Sequence, residues 1–297
     1  MAIRGALYPF VVTMIAIALL SLMDGFMKSA ALATGAFSAL LVRSWLALAM
    51  VGPVWVARKS PWPEPAVMRI HLVRGLVIAF MALTFFSALV YLPLAEAIAF
   101  SFIAPLIALA LAAIILKERI GGRSIAAALL GLAGVAIIVG GRIGRERLTH
   151  DAGLGIALVL FSAMLYAWNL ILQRQQALVA KPIEIATFQT GVVGVILLVG
   201  APFFFTTPQG DAWIDIACAA ILSLAGALML SWAYARAEAQ VLVPVEYSGF
   251  AWAAVVGWFF FGETVRLATL AGAVLIILGC WIAAPGRRTE LAATGTG

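Results

Sequence analysis

The chain has 297 residues, of which 65% are hydrophobic and only 11% charged; a water-soluble domain carries roughly 25% charged residues and at most about half apolar ones. So little charge cannot cover a soluble globule, and that class is excluded. The formal net charge of +6 does not point to nucleic acid either, because the basic residues are scattered singly along short connections rather than gathered on one module.

Eight charge-free stretches, 5–23, 75–95, 97–116, 124–141, 152–173, 185–210, 216–235 and 267–286, are 18 to 26 residues long, against the ~20 residues a helix needs to cross a bilayer. The chain therefore reads as an all-α membrane protein. Ten transmembrane helices are expected near 8–31, 37–57, 70–91, 95–116, 122–141, 153–175, 183–205, 212–235, 240–261 and 267–284.

In chain order, the first apolar run follows Arg4 and could pass for a signal peptide ending at Ala31-Leu32-Ala33. The run is too long for that, and Asp24 and Lys28 precede the cut, so a retained helix is expected. Asp24 and Lys28 lie four apart and share a helix face. They form either a switchable gating pair near the outer mouth or a structural ion pair snorkelling to the interface.

Arg43 interrupts helix 2 seven residues in. It meets a substrate carboxylate, neutralises Asp24 or Glu246, or has a purely structural partner. The Pro61-Trp62-Pro63-Glu64-Pro65 segment is expected to lie extended at the interface with Trp62 as an anchor. Helix 3 brings Phe85 and Phe86. In helix 4, Pro105 is expected to bend the helix and free carbonyls, a candidate hinge.

Helix 6 carries a polar stripe of Tyr166, Asn169 and Gln173, and helix 8 carries Ser231, Trp232 and Tyr234. Interhelical hydrogen bonds explain the stripe as well as substrate contact does, and membrane aromatics are most often belt residues. In helix 9, Glu246, Gly249, Phe250, Ala253 and Gly257 fall on one face, a carboxylate followed by small residues and one aromatic. Such a face suits a cavity wall, where Glu246 would hold a substrate amine or a coupling proton; an interfacial carboxylate is the other reading. Cys218 and Cys280 both sit in apolar stretches and read as small core residues. Residues 287–297 are expected to be a disordered cytoplasmic tail.

His71 and His150 are far apart, so no metal site is evident, and no Walker loop, GxSxG elbow or HExxH occurs. No cofactor and no enzyme activity are expected. Thirteen Lys and Arg fall on the side shared by both termini, five on the other, and Arg43 completes the 19. This bias places both termini in the cytoplasm.

Shifting the chain by 145 residues superposes Ile115-Leu116-Lys117-Glu118 on Phe260-Phe261-Gly262-Glu263 and Gly134 on Gly279. A similar shift pairs Ser21 and Met23 with Ser162 and Met164, and Arg43 with Gln189. Residues 1–146 and 147–286 are thus expected to be two five-helix repeats. Five is odd, so the second enters the membrane from the opposite side, a construction suited to alternating access. Glu118 and Glu263, at helix ends, are expected to cap the repeat interface rather than touch substrate.

Pro105-Leu106 through Lys117-Glu118, the matching Glu263, Arg43 in helix 2 and the Gly-rich helices 5 and 10 resemble the drug/metabolite transporter superfamily, in its ten-helix bacterial inner-membrane exporters. The likeness spans 8–284 and is strongest to exporters of amino acids, aromatic ones included. The second repeat departs from the pattern, with Phe250 in place of a second proline and Gln189 in place of a second arginine.

The resemblance implies a secondary exporter of small amphiphilic metabolites, amino acids first, working through a central cavity lined by helices 1, 3, 4, 6, 8 and 9. Its partners would be a small-molecule substrate and the lipid bilayer, without nucleic acid; a monomer suffices, and the oligomeric state stays open. The alternatives are an exporter of drugs or nucleotide-like solutes and, in another class, a lipid-modifying enzyme or lipid transporter.

Overall fold

The computed structural model describes residues 2–59, 61–104, 106–107, 122–143, 150–177, 179–234, 236 and 245–283. Among these, the helices are α1 (Ala2–Thr34), α2 (Ala36–Ala57), α3 (Pro65–Tyr91), α4 (Leu94–Ser101), α5 (Gly122–Ile143), α6 (His150–Ala177), α7 (Pro182–Phe204), α8 (Ala212–Tyr234), α9 (Gly249–Phe261) and α10 (Leu267–Ala283). Six of them are long and apolar enough to cross a membrane, the longest apolar segments being Tyr8–Thr34 and Pro65–Tyr91.

Local chemistry sets several boundaries. Gly35 alone links α1 to α2, at φ 82, in the left-handed region that favours glycine. Helix α3 begins at Pro65 rather than near residue 70, because proline at the first helical position is preset in φ and needs no hydrogen-bond acceptor. The expected continuous helix over 240–261 is corrected: residues 245 and 246 are helical, Tyr247 and Ser248 form a turn, and α9 starts at Gly249. Likewise α4 gives way to a turn at Phe102 and Ile103. The 145-residue shift carries the first break onto the second, and the Phe102 and Tyr247 rings meet edge to face at 5.2 Å. Pro105 itself lies outside the described residues, as does Glu118.

Packing shows the internal symmetry. Helix α1 lies along α8 as α3 lies along α6; α3 meets α7 as α8 meets α2; α1 meets α9 as α6 meets α4. The pairs α2–α7, α4–α9 and α5–α10 each join a helix to its own counterpart. Exchanging α1–α5 with α6–α10 preserves this pattern, as a twofold axis between the two sets requires.

Direction follows from single contacts. The Leu94 N–H, at the start of α4, donates to Glu263 Oε2, just past the end of α9, at 2.8 Å. Phe37, at the start of α2, meets Phe204, at the end of α7, with ring centroids 5.7 Å apart. Helices α2 and α4 therefore begin where their counterparts α7 and α9 end. Among the described residues the fold is ten helices in two inverted five-helix repeats.

Lipid gives apolar side chains no hydrophobic reason to leave it, so helix association rests on close packing of small residues and on interhelical hydrogen bonds. A Cβ at Gly134 of α5 would come within 2.6 Å of the Gly272 carbonyl of α10, so the two backbones touch there only because both residues are glycine. Ala30, Ala39, Ala88, Ala97 and Ala99 are fully buried between the helices of the first set and their neighbours.

Candidate functional site

The face carrying the start of α1 is called proximal below, the opposite face distal. Asp24, Arg43 and Tyr166 all turn inward. Exposed Val11 and Ile15 mark the outer side of α1, and Asp24 sits nine residues, about 180° around the helix, from Ile15. Arg43 sits two residues, about 200°, from exposed Trp45 on α2, and Tyr166 likewise from exposed Met164 on α6. Each of the three is nevertheless half-buried rather than sealed.

Charges this deep in a bilayer cost about 2.5–3.5 kcal/mol each unless partnered. Asp24 and Arg43 attract each other across the α1–α2 contact. The Arg43 guanidinium also lies 5.2 Å from the centre of the buried Phe86 ring and 3.4 Å from Met23 Sδ. Phe85 packs edge to face on Phe86 at 5.4 Å. Glu246 acts electrostatically on Tyr166. Ser21, three residues before Asp24, reaches the Gly249 carbonyl at 3.5 Å, so the Glu246 level and the Asp24 level differ by on the order of 10 Å along α1. Phe250, half-buried, packs against the core between them.

The expected Asp24–Lys28 pair is corrected. Lys28 Nζ donates to the Leu92 carbonyl at 2.7 Å and pairs with Glu263 Oε1, while Phe261 lies under it at 5.1 Å. The physical reason is the αL turn at Gly262 (φ 63), which folds the Glu263 N–H back to the Gly257 carbonyl at 3.1 Å and brings its carboxylate over the end of α9. A Cβ at Gly257 would collide with that carboxylate. The result is a latch on the distal face tying α1, α3, α4 and α9 across the two repeats.

One other expected site residue sits elsewhere. Trp232 stacks edge to face on Tyr8 at 5.4 Å and lies 4.2 Å from the Arg236 guanidinium carbon. It is a proximal boundary residue, four turns of α1 away from Asp24. The Tyr234 side chain lies outside the described residues.

Asn169 accepts from Arg74 Nε at 3.0 Å and belongs to a network that residue patterns did not single out. Arg74 Nη1 also donates to Gln176 Oε1. With its oxygen so used, the Gln176 amide donates to His71 Nδ1, which leaves His71 Nε2–H to donate to Glu184 Oε1 at 3.1 Å. Arg74, His71 and Gln176 are all buried. A guanidinium on α3 is thus joined to a carboxylate on α7 through one amide and one neutral imidazole. The stripe on α6 continues from Asn169 to Gln176, seven residues on, rather than to Gln173, which is exposed. Gln176→Leu is expected to strand Arg74 and His71 and lower stability by roughly 1–3 kcal/mol, read as an earlier melting transition in detergent with Gln173→Leu as the neutral control.

The profile of the EamA-like transporter family matches residues 7–140 and again 153–284. The chain belongs to that family.

Among similar proteins of this EamA-like transporter are the S-adenosylmethionine uptake transporter of Rickettsia felis, 26% identical over 211 residues that cover 70% of this chain and 69% of the other, and the pseudopaline exporter of Pseudomonas aeruginosa, 27% identical over 214 residues, 70% and 72% of the two chains. One solved crystal structure superposes with a TM-score of 0.62 at 21% identity, covering 96% of this chain and 98% of its own; it supports the fold. The EamA-like chain is therefore a multi-pass membrane transporter, and the two matched segments each take in five of its helices.

Proposed function

We propose that this transporter is a secondary carrier exporting small amphiphilic metabolites, amino acids with aromatic or apolar side chains first, across a bacterial inner membrane by alternating access. Both termini would lie in the cytoplasm, as the thirteen-to-five Lys and Arg bias favours, so the proximal face is cytoplasmic and the distal face external. The observation that carries this reading is the set Asp24, Arg43, Tyr166 and Glu246: opposite charges turned inward, half-accessible, and interleaved with Phe86 and Phe250. A zwitterion needs a cation and a carboxylate at short range, and its apolar body needs an aromatic wall.

In this scheme Arg43 takes the carboxylate, Asp24 or Glu246 takes the ammonium, and Phe85, Phe86 and Phe250 receive the side chain. The Lys28–Glu263 latch closes the external mouth, with the breaks at Phe102 and Tyr247 as hinges on the twofold axis. The inverted repeats supply the second gate by symmetry. Coupling runs through a proton on Glu246 or Asp24, or is replaced by exchange.

The named relatives favour a second reading. S-adenosylmethionine joins an amino-acid end to a nucleoside, so a larger solute bearing the same head group would use the same charges. Counterflow of radiolabelled amino acids in proteoliposomes tests the proposal. Exchange of at least one apolar or aromatic amino acid is expected, and failure of all twenty with folded protein and S-adenosylmethionine active would replace the first reading by the second.

A further inference from the structure

On the outer side of the bundle, α3 and α7 enclose a slot of about 410 Å³ lined by Leu72, Leu76, Phe188, Gly191, Val195 and Ile196 among others. Leu72, Leu76 and Val195 are about half exposed, so the slot opens towards lipid. Its one hydroxyl, Thr187, is already committed to the Ile183 carbonyl at 2.8 Å. The slot runs from residue 187 to 196 on α7, about 13 Å of helix, close to the ~15 Å depth of one leaflet's hydrocarbon.

Its proximal end is marked by aromatic rings. Phe188 stacks on His71 at 4.9 Å and meets Trp55 and Trp62 edge to face at 5.4 and 5.5 Å, the cluster expected at headgroup level. Cations stand beside it: Arg69 one turn before Leu72, Lys181 at the start of α7, and Arg58 and Lys59 after α2, all exposed. The carboxylates at this end are Glu64, exposed, and Glu184, which is turned onto His71.

We infer that the α3–α7 slot binds one acyl chain of an anionic phospholipid whose headgroup rests on Arg69 and Lys181. Charge separates this occupant from a second copy of the chain, because a twofold contact over the slot would set Arg69 and Lys181 against their own copies. An anionic headgroup instead gains about fivefold in affinity per nearby cation.

The test is native mass spectrometry of the full chain equilibrated with phosphatidylglycerol or with phosphatidylcholine of identical acyl chains. One bound phosphatidylglycerol is expected, retained about 25-fold better than phosphatidylcholine. Arg69→Gln with Lys181→Gln is expected to remove that preference while leaving the weaker binding intact. Val195→Trp, which fills the slot, is expected to cut retention of both lipids at least ~10-fold; Val195→Phe serves if the tryptophan variant does not fold. Equal retention of the two lipids, retention unchanged by filling the slot, or a dimer mass in place of a lipid adduct would each overturn the inference.

Discussion

Arg43→Met is expected to stop transport and to destabilise the fold, and Asp24→Asn combined with it is expected to restore the fold alone. Methionine keeps the length of the side chain and a sulfur that can rest on Phe86, so packing changes little. What changes is charge: Asp24, turned into the bundle, loses the cation that attracts it, and a charge left uncompensated at membrane depth costs about 2.5–3.5 kcal/mol. Neutralising both members removes the stranded charge, since paired interior charges contribute little net stability over neutral groups. Melting in detergent should therefore return close to wild type in the double variant. Counterflow of a zwitterionic amino acid should stay at least ~10-fold down, because a charge-assisted hydrogen bond to the solute is worth about 1.5–3 kcal/mol. A double variant that transports at the wild-type rate would make the pair structural and move recognition to another place in the bundle.

The second large effect belongs to the distal latch. Glu263→Gln removes the negative charge and leaves one acceptor oxygen where two are used, one by Lys28 and one by the Leu94 N–H. Lys28, buried and fixed on the Leu92 carbonyl, is then held in the closed state by neutral acceptors only. In an open state its ammonium meets water at no such disadvantage. Losing the charge-assisted part of the contact, about 1.5–3 kcal/mol, shifts the closed-to-open ratio by roughly tenfold to a hundredfold. A cysteine at Ala95, buried just beneath the latch, in a chain with Cys218 and Cys280 replaced by serine, should react with an impermeant maleimide at least ~10-fold faster in Glu263→Gln. Unchanged labelling alongside a lower melting point would mean that the latch only braces the fold.

The sequence carried the architecture well because membrane crossing is a matter of composition and length. The charge-free stretches overlap the helices found, with 75–95 and 185–210 running past the ends of α3 and α7, and the 145-residue shift that pairs the repeats in sequence also carries the break at Phe102 onto the break at Tyr247. Proline chemistry is less transferable. Only helix 4 has a proline at the aligned position, yet helix 9 breaks too, at Tyr247 and Ser248, so the symmetry of packing rather than the ring alone decides the break.

Partners were the least legible feature. Lys28 looks towards Asp24 when one helix is considered, but a left-handed glycine 234 residues later delivers Glu263, and a contact between chain ends so far apart leaves no local signature. The same holds for Arg74, whose partners come from α6. There the seven-residue step from Asn169 to Gln176 was readable, and the four-residue step to Gln173 led to an exposed side chain. Trp232 and Phe86 have similar apolar surroundings in sequence, and only tertiary packing sends one to the boundary and the other under Arg43.

Alternating access between inverted repeats is tested most directly by two distances measured together with spin labels. One pair, at Leu32 and Leu267, reports the distal mouth; the other, at Val56 and Val179, reports the proximal one, all four sites being exposed. Between the wild-type chain and Glu263→Gln, the distal distance should lengthen while the proximal distance shortens. Two distances that stay fixed, or that lengthen together, would contradict a carrier that opens one face by closing the other.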